Sequence, residues 1–103
     1  MTENIKYIYR TSGFNLGFLY NNNIFSRDGQ YLGWVEKKYA WDTSGNYRGE
    51  LTNLNGNIYI LKNLYMIEPI PRIPKVPPVP PVVPNPPVNI VPIVPPIGYI
   101  DGF

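Results

Sequence analysis

Few side chains in this chain can do chemistry, and the absences narrow the options more than what is present. There is no histidine and no cysteine, which removes the commonest general base, the thiol nucleophile and the usual transition-metal ligands. Seven carboxylates remain. Asp28 and Asp42 lie in or beside Gly-containing turns, where an aspartate ordinarily accepts hydrogen bonds from nearby backbone N–H groups. Glu36 and Glu50 are followed or matched by basic residues on what should be solvated edges. Glycoside hydrolysis needs two carboxyl groups set across a cleft, and no spacing here singles out such a pair. The expectation is a protein with no catalytic residue, no metal and no cofactor.

Two binding chemistries stay open. Aromatic residues make up 15% of the chain, and Trp34 with Tyr31 and Tyr47 could form a platform on which sugars stack. A small β-domain without disulfides also needs large side chains simply to bury enough area. The segment Lys75-Val76-Pro77-Pro78-Val79-Pro80-Pro81 fits the basic-x-x-Pro-x-x-Pro ligand of an SH3-type groove, a match hard to avoid where prolines are this dense. The glycines are phased to turns and precede no helix, so they cradle no phosphate. Nine basic side chains are dispersed among the acids for a net charge of +2, whereas a nucleic-acid partner calls for a concentrated basic face.

The elements that must position these groups fall into two parts. All 13 prolines lie between Pro69 and Pro96, in a stretch that can be neither helix nor central strand. Residues 1–66 are therefore read as a β-domain and 67–103 as an extended arm. About 60 to 65 residues is near the size at which burial barely offsets chain entropy. No apolar run approaches a membrane span, and Met1-Thr2-Glu3-Asn4 is not the basic start of a signal peptide. A cytoplasmic location is the default, with a virion or surface assembly left open.

The front part repeats. Gly13, Gly29 and Gly45 are sixteen apart, as are Gly17, Gly33 and Gly49, and Tyr9, Phe25 and Trp41 keep the same phase. A fourth, degenerate copy is placed at Ile58-Tyr59 after an interval of eighteen. Each unit of about sixteen residues reads as a β-hairpin: the turns Thr11-Ser12-Gly13, Arg27-Asp28-Gly29 and Thr43-Ser44-Gly45 end on glycine, as a left-handed turn residue requires. The predicted fold is all-β, with four hairpin-like repeats in a small closed or flower-like structure. The second glycine of each pair, inside a strand, marks a bend, a bulge or a close approach, and the phased aromatics are expected against it. Leu19, Val35 and Leu51 alternate onto the side chosen for the core. Leu16, Phe18, Leu32 and Trp34 then form an outer apolar patch, the expected seat of the arm or a partner.

The arm has a period of its own. Ile73, Val76, Val79, Val82, Val88, Val91, Val94 and Ile97 recur every third residue, interrupted only by Asn85. Polyproline II has three residues per turn, so these side chains share one face. The expectation is that this face packs on the outer patch, with Tyr99 and Phe103 as a terminal anchor. Drawn out straight, the 28 residues from Pro69 to Pro96 would reach about 85 to 90 Å at ~3.1 Å per residue and extend onto other molecules.

The run Ile24-Phe25-Ser26-Arg27-Asp28-Gly29-Gln30-Tyr31-Leu32-Gly33-Trp34-Val35-Glu36, with Tyr39-Ala40-Trp41-Asp42-Thr43-Ser44-Gly45-Asn46-Tyr47-Arg48-Gly49, resembles the bacterial 4-fold beta flower proteins. The likeness spans roughly residues 5 to 61 and implies four hairpin petals, some members carrying a Pro-rich C-terminal segment; it implies no activity and no site. The functional expectation is a non-enzymatic structural or assembly protein whose arm packs on its own or a neighbouring protomer's β-domain, forming a homo-oligomer. The alternatives are an adaptor whose tail is an SH3-type ligand and a carbohydrate-binding module.

Overall fold

A computed structural model describes residues 5–79 and 81–103. Eight strands follow in chain order: β1 (Lys6–Tyr9), β2 (Asn15–Tyr20), β3 (Asn23–Ser26), β4 (Tyr31–Glu36), β5 (Tyr39–Asp42), β6 (Tyr47–Leu54), β7 (Asn57–Asn63) and β8 (Tyr99–Asp101). Each of the first seven pairs antiparallel with the next. An up-and-down run of seven strands returns to its start with its first and last strands pointing the same way, so closure must be parallel. Ile8 and Tyr9 of β1 accordingly pair in parallel with Ile58 and Tyr59 of β7. The rest of that edge of β7 pairs antiparallel with β8, Leu61 opposite Asp101 and Asn63 opposite Tyr99. A division at residue 66 thus separates two strands that share a ladder.

Turn chemistry sets the two ends of the barrel. At one end Gly13, Gly29 and Gly45 take φ of 90°, 86° and 86°, and each donates its N–H to the carbonyl three residues earlier (Arg10, Ser26 and Asp42). At the other end the connections run through left-handed Asn21 and Asn22, Lys37, and Asn55 with Gly56, the backbone that tight hairpins need.

The core differs from simple alternation for a definite reason. Ile8 faces Gly17 but Tyr9 faces Asn15, leaving Leu16 as an extra residue. The same slip leaves Leu32 between Gly33 and Tyr31 and Arg48 between Gly49 and Tyr47. A bulge inserts one residue and turns its side chain off the alternating pattern. Leu16 therefore joins Ile8, Leu19, Ile24, Val35, Ala40 and Ile60 in the barrel core, with Leu32, Leu51, Ile58 and Phe103 packed against them. Leu16 and Leu32 are core residues and not part of an outer patch. Phe18 and Trp34 stay on the other face, yet both are buried. Trp34 sits there with Trp41 and Tyr47, next to Tyr39 and Met66.

The strand glycines are needed because the neighbouring strand crosses directly over them. A Cβ at Gly17 or Gly33 would collide with the carbonyl oxygen of Phe25 or Trp41; the phased aromatic residues do meet these glycines, through backbone and not ring. The carbonyl over Gly49 is that of Leu61. The position matching Phe25 and Trp41 is therefore Leu61, preceded by core residue Ile60, which places this phase at Ile60-Leu61 and not at Ile58-Tyr59.

Candidate functional site: the arm on the hairpin tips

Between Ile67 and Pro96 the described residues form no helix or strand, yet the segment is tied to the barrel at each glycine turn. The Arg72 N–H donates to the Gly45 carbonyl at 2.7 Å, and the Ile90 N–H to the Gly13 carbonyl at 2.9 Å. Between them the Val83 side chain lies over Gly29. Ile93 donates to the Thr11 carbonyl at 2.8 Å, and the Tyr7 hydroxyl donates to the Asn85 carbonyl at 3.2 Å. The arm thus visits the three tips in reverse chain order. The described residues span 40 × 35 × 21 Å, so the arm bends around the barrel end instead of projecting as a straight rod.

Which side of the arm faces the barrel is the main departure from expectation. Partial burial recurs every third residue, at Pro78, Pro81, Pro84, Pro87, Ile90 and Ile93, and Arg72 and Lys75 continue that phase at its start. Ile90 and Ile93 pack against the buried cluster of Tyr9, Tyr59 and Leu61, as do Tyr7, Leu54 and Tyr99. The row expected to face inward, Ile73, Val76, Val79, Val82, Val88, Val91, Val94 and Ile97, faces away, each residue between 81% and 93% exposed. Hydropathy favours the Ile/Val row, the more apolar of the two, and so selects the row that faces away. Backbone donors select the inward one: Arg72, Ile90 and Ile93 must each give an N–H that proline lacks.

The root of the arm carries its two cations onto the barrel. The Arg72 guanidinium lies over the Trp41 ring, 5.1 Å from its centroid, and the Lys75 ammonium lies 5.2 Å from that of Trp34. Both pair with Glu36, Lys75 at 3.6 Å. The hydrogen bond from Arg72, aided by both positive charges, holds the Glu36 carboxyl below the usual carboxylate range. A cleft beside this cluster is lined by Glu36, Tyr39, Trp41, Pro69, Ile70 and Arg72. The Trp34 and Trp41 indole N–H groups and the Tyr47 hydroxyl are buried without a hydrogen-bond partner among the described residues. Burial, then the nearby Glu50 charge, pushes the Tyr47 phenol up to about 12.

The C-terminal segment is anchored by polar contacts as well as by its aromatic end. Asp101 accepts from the Thr11 N–H at 2.9 Å and from its hydroxyl at 2.7 Å. The Gly102 N–H donates to Ile60, and the Gly102 carbonyl accepts from Arg48 Nε at 2.6 Å. Arg10 Nε donates to the Phe103 carbonyl at 3.1 Å, and the Arg48 guanidinium lies 4.7 Å from the Phe103 ring centroid. Arg48 occupies the bulge position held by Leu16 and Leu32, so its change of character serves this contact. Tyr99 packs against the same Tyr9, Tyr59 and Leu61 cluster as Ile90 and Ile93. Sequence reasoning missed Arg10, Thr11, Arg48 and Asp101. One signal was available: Gly98 and Gly102 repeat the four-residue spacing of Gly13 and Gly17, and Gly98 takes φ of 86°.

Of the side chains weighed for chemistry, Asp42 accepts from the Ser44 and Asn46 N–H groups in its turn, and Glu50 lies 3.8 Å from Lys38. Trp34 and Tyr47 share a buried cluster, whereas Tyr31 stands beside Phe25. No group of three or more Asp, Glu, His or Cys able to hold a metal occurs among the described residues, and no helix among them is long and apolar enough to cross a membrane.

Together these features define a small all-β protein, a closed barrel of seven strands built from bulged hairpins. The chain belongs to the 4-fold beta flower family, whose model matches residues 1–99, arm included. No curated protein and no solved structure matches it.

Proposed function

We propose that this is a non-enzymatic structural protein in which the Pro-rich arm, in polyproline II conformation, is a belt that fastens the hairpin tips of its own barrel. The observation that carries this reading is the set of ties at Gly45, Gly29 and Gly13, with the inward row returning every third residue. The arm is also read as an insertion in the turn of a fourth hairpin. Leu64 and Gly98, at its two ends, are joined by a hydrogen bond of 2.7 Å, and the Gly98/Gly102 pair supplies the glycine phase of the other units. A barrel this small gains from such a belt, because the docked arm buries apolar area that neither part hides alone.

The test is to replace residues 67–97 by a short Gly/Ser turn that keeps β8. The reading predicts a lower melting temperature and exposure of Trp34 and Trp41 to quenchers. A variant that melts and fluoresces like the parent would contradict it.

The SH3-ligand reading is less favoured, since Lys75 and the inward prolines are engaged with the barrel. The carbohydrate reading fares no better with Trp34, Trp41 and Tyr47 buried.

A further inference from the structure

The outward row of the arm is a palindrome. From either end it reads Ile, Val, Val, Val, then Asn85, then Val, Val, Val, Ile, at positions 73, 76, 79, 82, 85, 88, 91, 94 and 97. We infer that this row is a two-fold interface by which two copies of the chain pair through their belts, antiparallel, with Asn85 of each copy at the axis. The inference rests on the arm being belted to its own barrel as proposed above.

Three observations lead to a second copy as the occupant. The first is symmetry: a two-fold contact uses the same patch on both partners, so residue i meets j and j meets i. A palindromic row meets that condition along its full length, setting Ile73 against Ile97, Val76 against Val94, Val79 against Val91 and Val82 against Val88. An unrelated partner would place no such demand on the sequence.

The second is area. At roughly 60 to 120 Å² of apolar surface per side chain, the range implied by transfer free energies, eight exposed branched residues present about 500 to 950 Å². That is more than most monomers leave in one patch and comparable to the ~800 Å² each partner hides in an interface of standard size. No charged side chain lies between Val76 and Ile97, so nothing opposes the approach of a like surface.

The third is Asn85. Its backbone carbonyl is held by the Tyr7 hydroxyl, which fixes the centre of the row on the barrel. Its exposed side-chain amide makes no hydrogen bond among the described residues. An amide carries both donors and an acceptor, so two copies of it across an axis satisfy each other. A lone polar residue in an apolar seam fixes register and partner number.

Because the chain lacks cysteine, the pairing can be mapped by single substitutions in the full-length protein. Light scattering should give a dimer, and the Val82→Glu/Val88→Glu variant a monomer that keeps the parent's β-sheet signal and tryptophan fluorescence, with a melting temperature that no longer depends on protein concentration. Under mild oxidation Asn85→Cys should cross-link to itself, and Val76→Cys should couple to Val94→Cys at least tenfold faster than either couples to itself. A monomeric parent, a dimer indifferent to the two glutamates, or Val76→Cys coupling mainly to itself would each overturn the inference. Amide exchange at Ile90 and Ile93 in the same samples separates the two levels: protected amides in a monomer sink the pairing alone, and unprotected ones sink the belt.

Discussion

Ile90 and Gly13 fit together in both directions. The Ile90 N–H donates to the Gly13 carbonyl at 2.9 Å, while the Ile90 carbonyl oxygen occupies the space a Cβ on Gly13 would take. The turn glycine is thus needed twice, for its φ of 90° and for the closeness of the arm. Gly13→Ala should cost more than the ~1 kcal/mol of an ordinary unfavourable glycine replacement, and amide exchange should show the arm loosened at Ile90. Gly56 has φ of 82° with nothing within 4 Å of its Cβ position, so Gly56→Ala should show the backbone cost alone and leave the arm in place.

The Asp101–Thr11 pair should behave as the anchor of β8. Hydrogen bonds to a charged group contribute about 1.5 to 3 kcal/mol each, and Asp101 accepts two from one residue. Asp101→Ala is predicted to lower stability by at least about 1.5 kcal/mol in chemical denaturation. Thr11→Ser, which keeps both donors, should stay near the parent.

The root of the arm should open in acid. The Glu36 carboxyl is held below its ordinary value chiefly by the hydrogen bond from Arg72, so its contribution is present above the unfolded-state value, about 4.3. It is lost as pH falls through the lower folded value. Tryptophan fluorescence should change over that acidic range as Arg72 and Lys75 lift from Trp41 and Trp34. Added salt should weaken the pair at neutral pH, since it lies at the surface. In Glu36→Gln the acid step should disappear.

Tyr47 sets the alkaline limit. Its phenol is raised from 10.0 to about 12, so the folded state holds the proton that the unfolded chain releases. The stability associated with it is complete below about pH 10 and falls as pH climbs toward the folded value. Burial raises the Tyr9 and Tyr31 phenols as well, so ultraviolet titration should show a late-ionising group of tyrosines, and Tyr47→Phe should reduce its amplitude. Because the hydroxyl is buried without a partner among the described residues, Tyr47→Phe should also leave stability equal to or above the parent. A clear loss would mean that the hydroxyl has a partner after all.

Much of the barrel was legible because its signals are local. The sixteen-residue glycine phase predicts the tips, and Gly13, Gly29 and Gly45 take the left-handed φ such turns need. Leu16 and Leu32 were harder to place, since an extra bulge residue reverses the counting by two, and only the glycine that follows each one hints at it. Hydropathy misleads on the arm's orientation, since the outward Ile/Val row is more apolar than the inward, mostly proline row. The pattern of Arg72, Ile90 and Ile93, where proline gives way to residues with an N–H, held the information. The contacts of Arg10 and Arg48 with Phe103 and Gly102, and of Asp101 with Thr11, run across the sheet and are encoded by no short motif.

For an arm fastened to its own barrel at the hairpin tips, as proposed, the decisive readout is amide hydrogen exchange at Arg72, Ile90 and Ile93. Each donates to a turn residue, Gly45, Gly13 and Thr11 respectively, at 2.7 to 2.9 Å. The belt predicts exchange at all three slowed well beyond that of an unstructured chain, and slowed equally when the protein is diluted. Exchange at unstructured-chain rates at these three positions, in a protein whose β-strands remain protected, would contradict it.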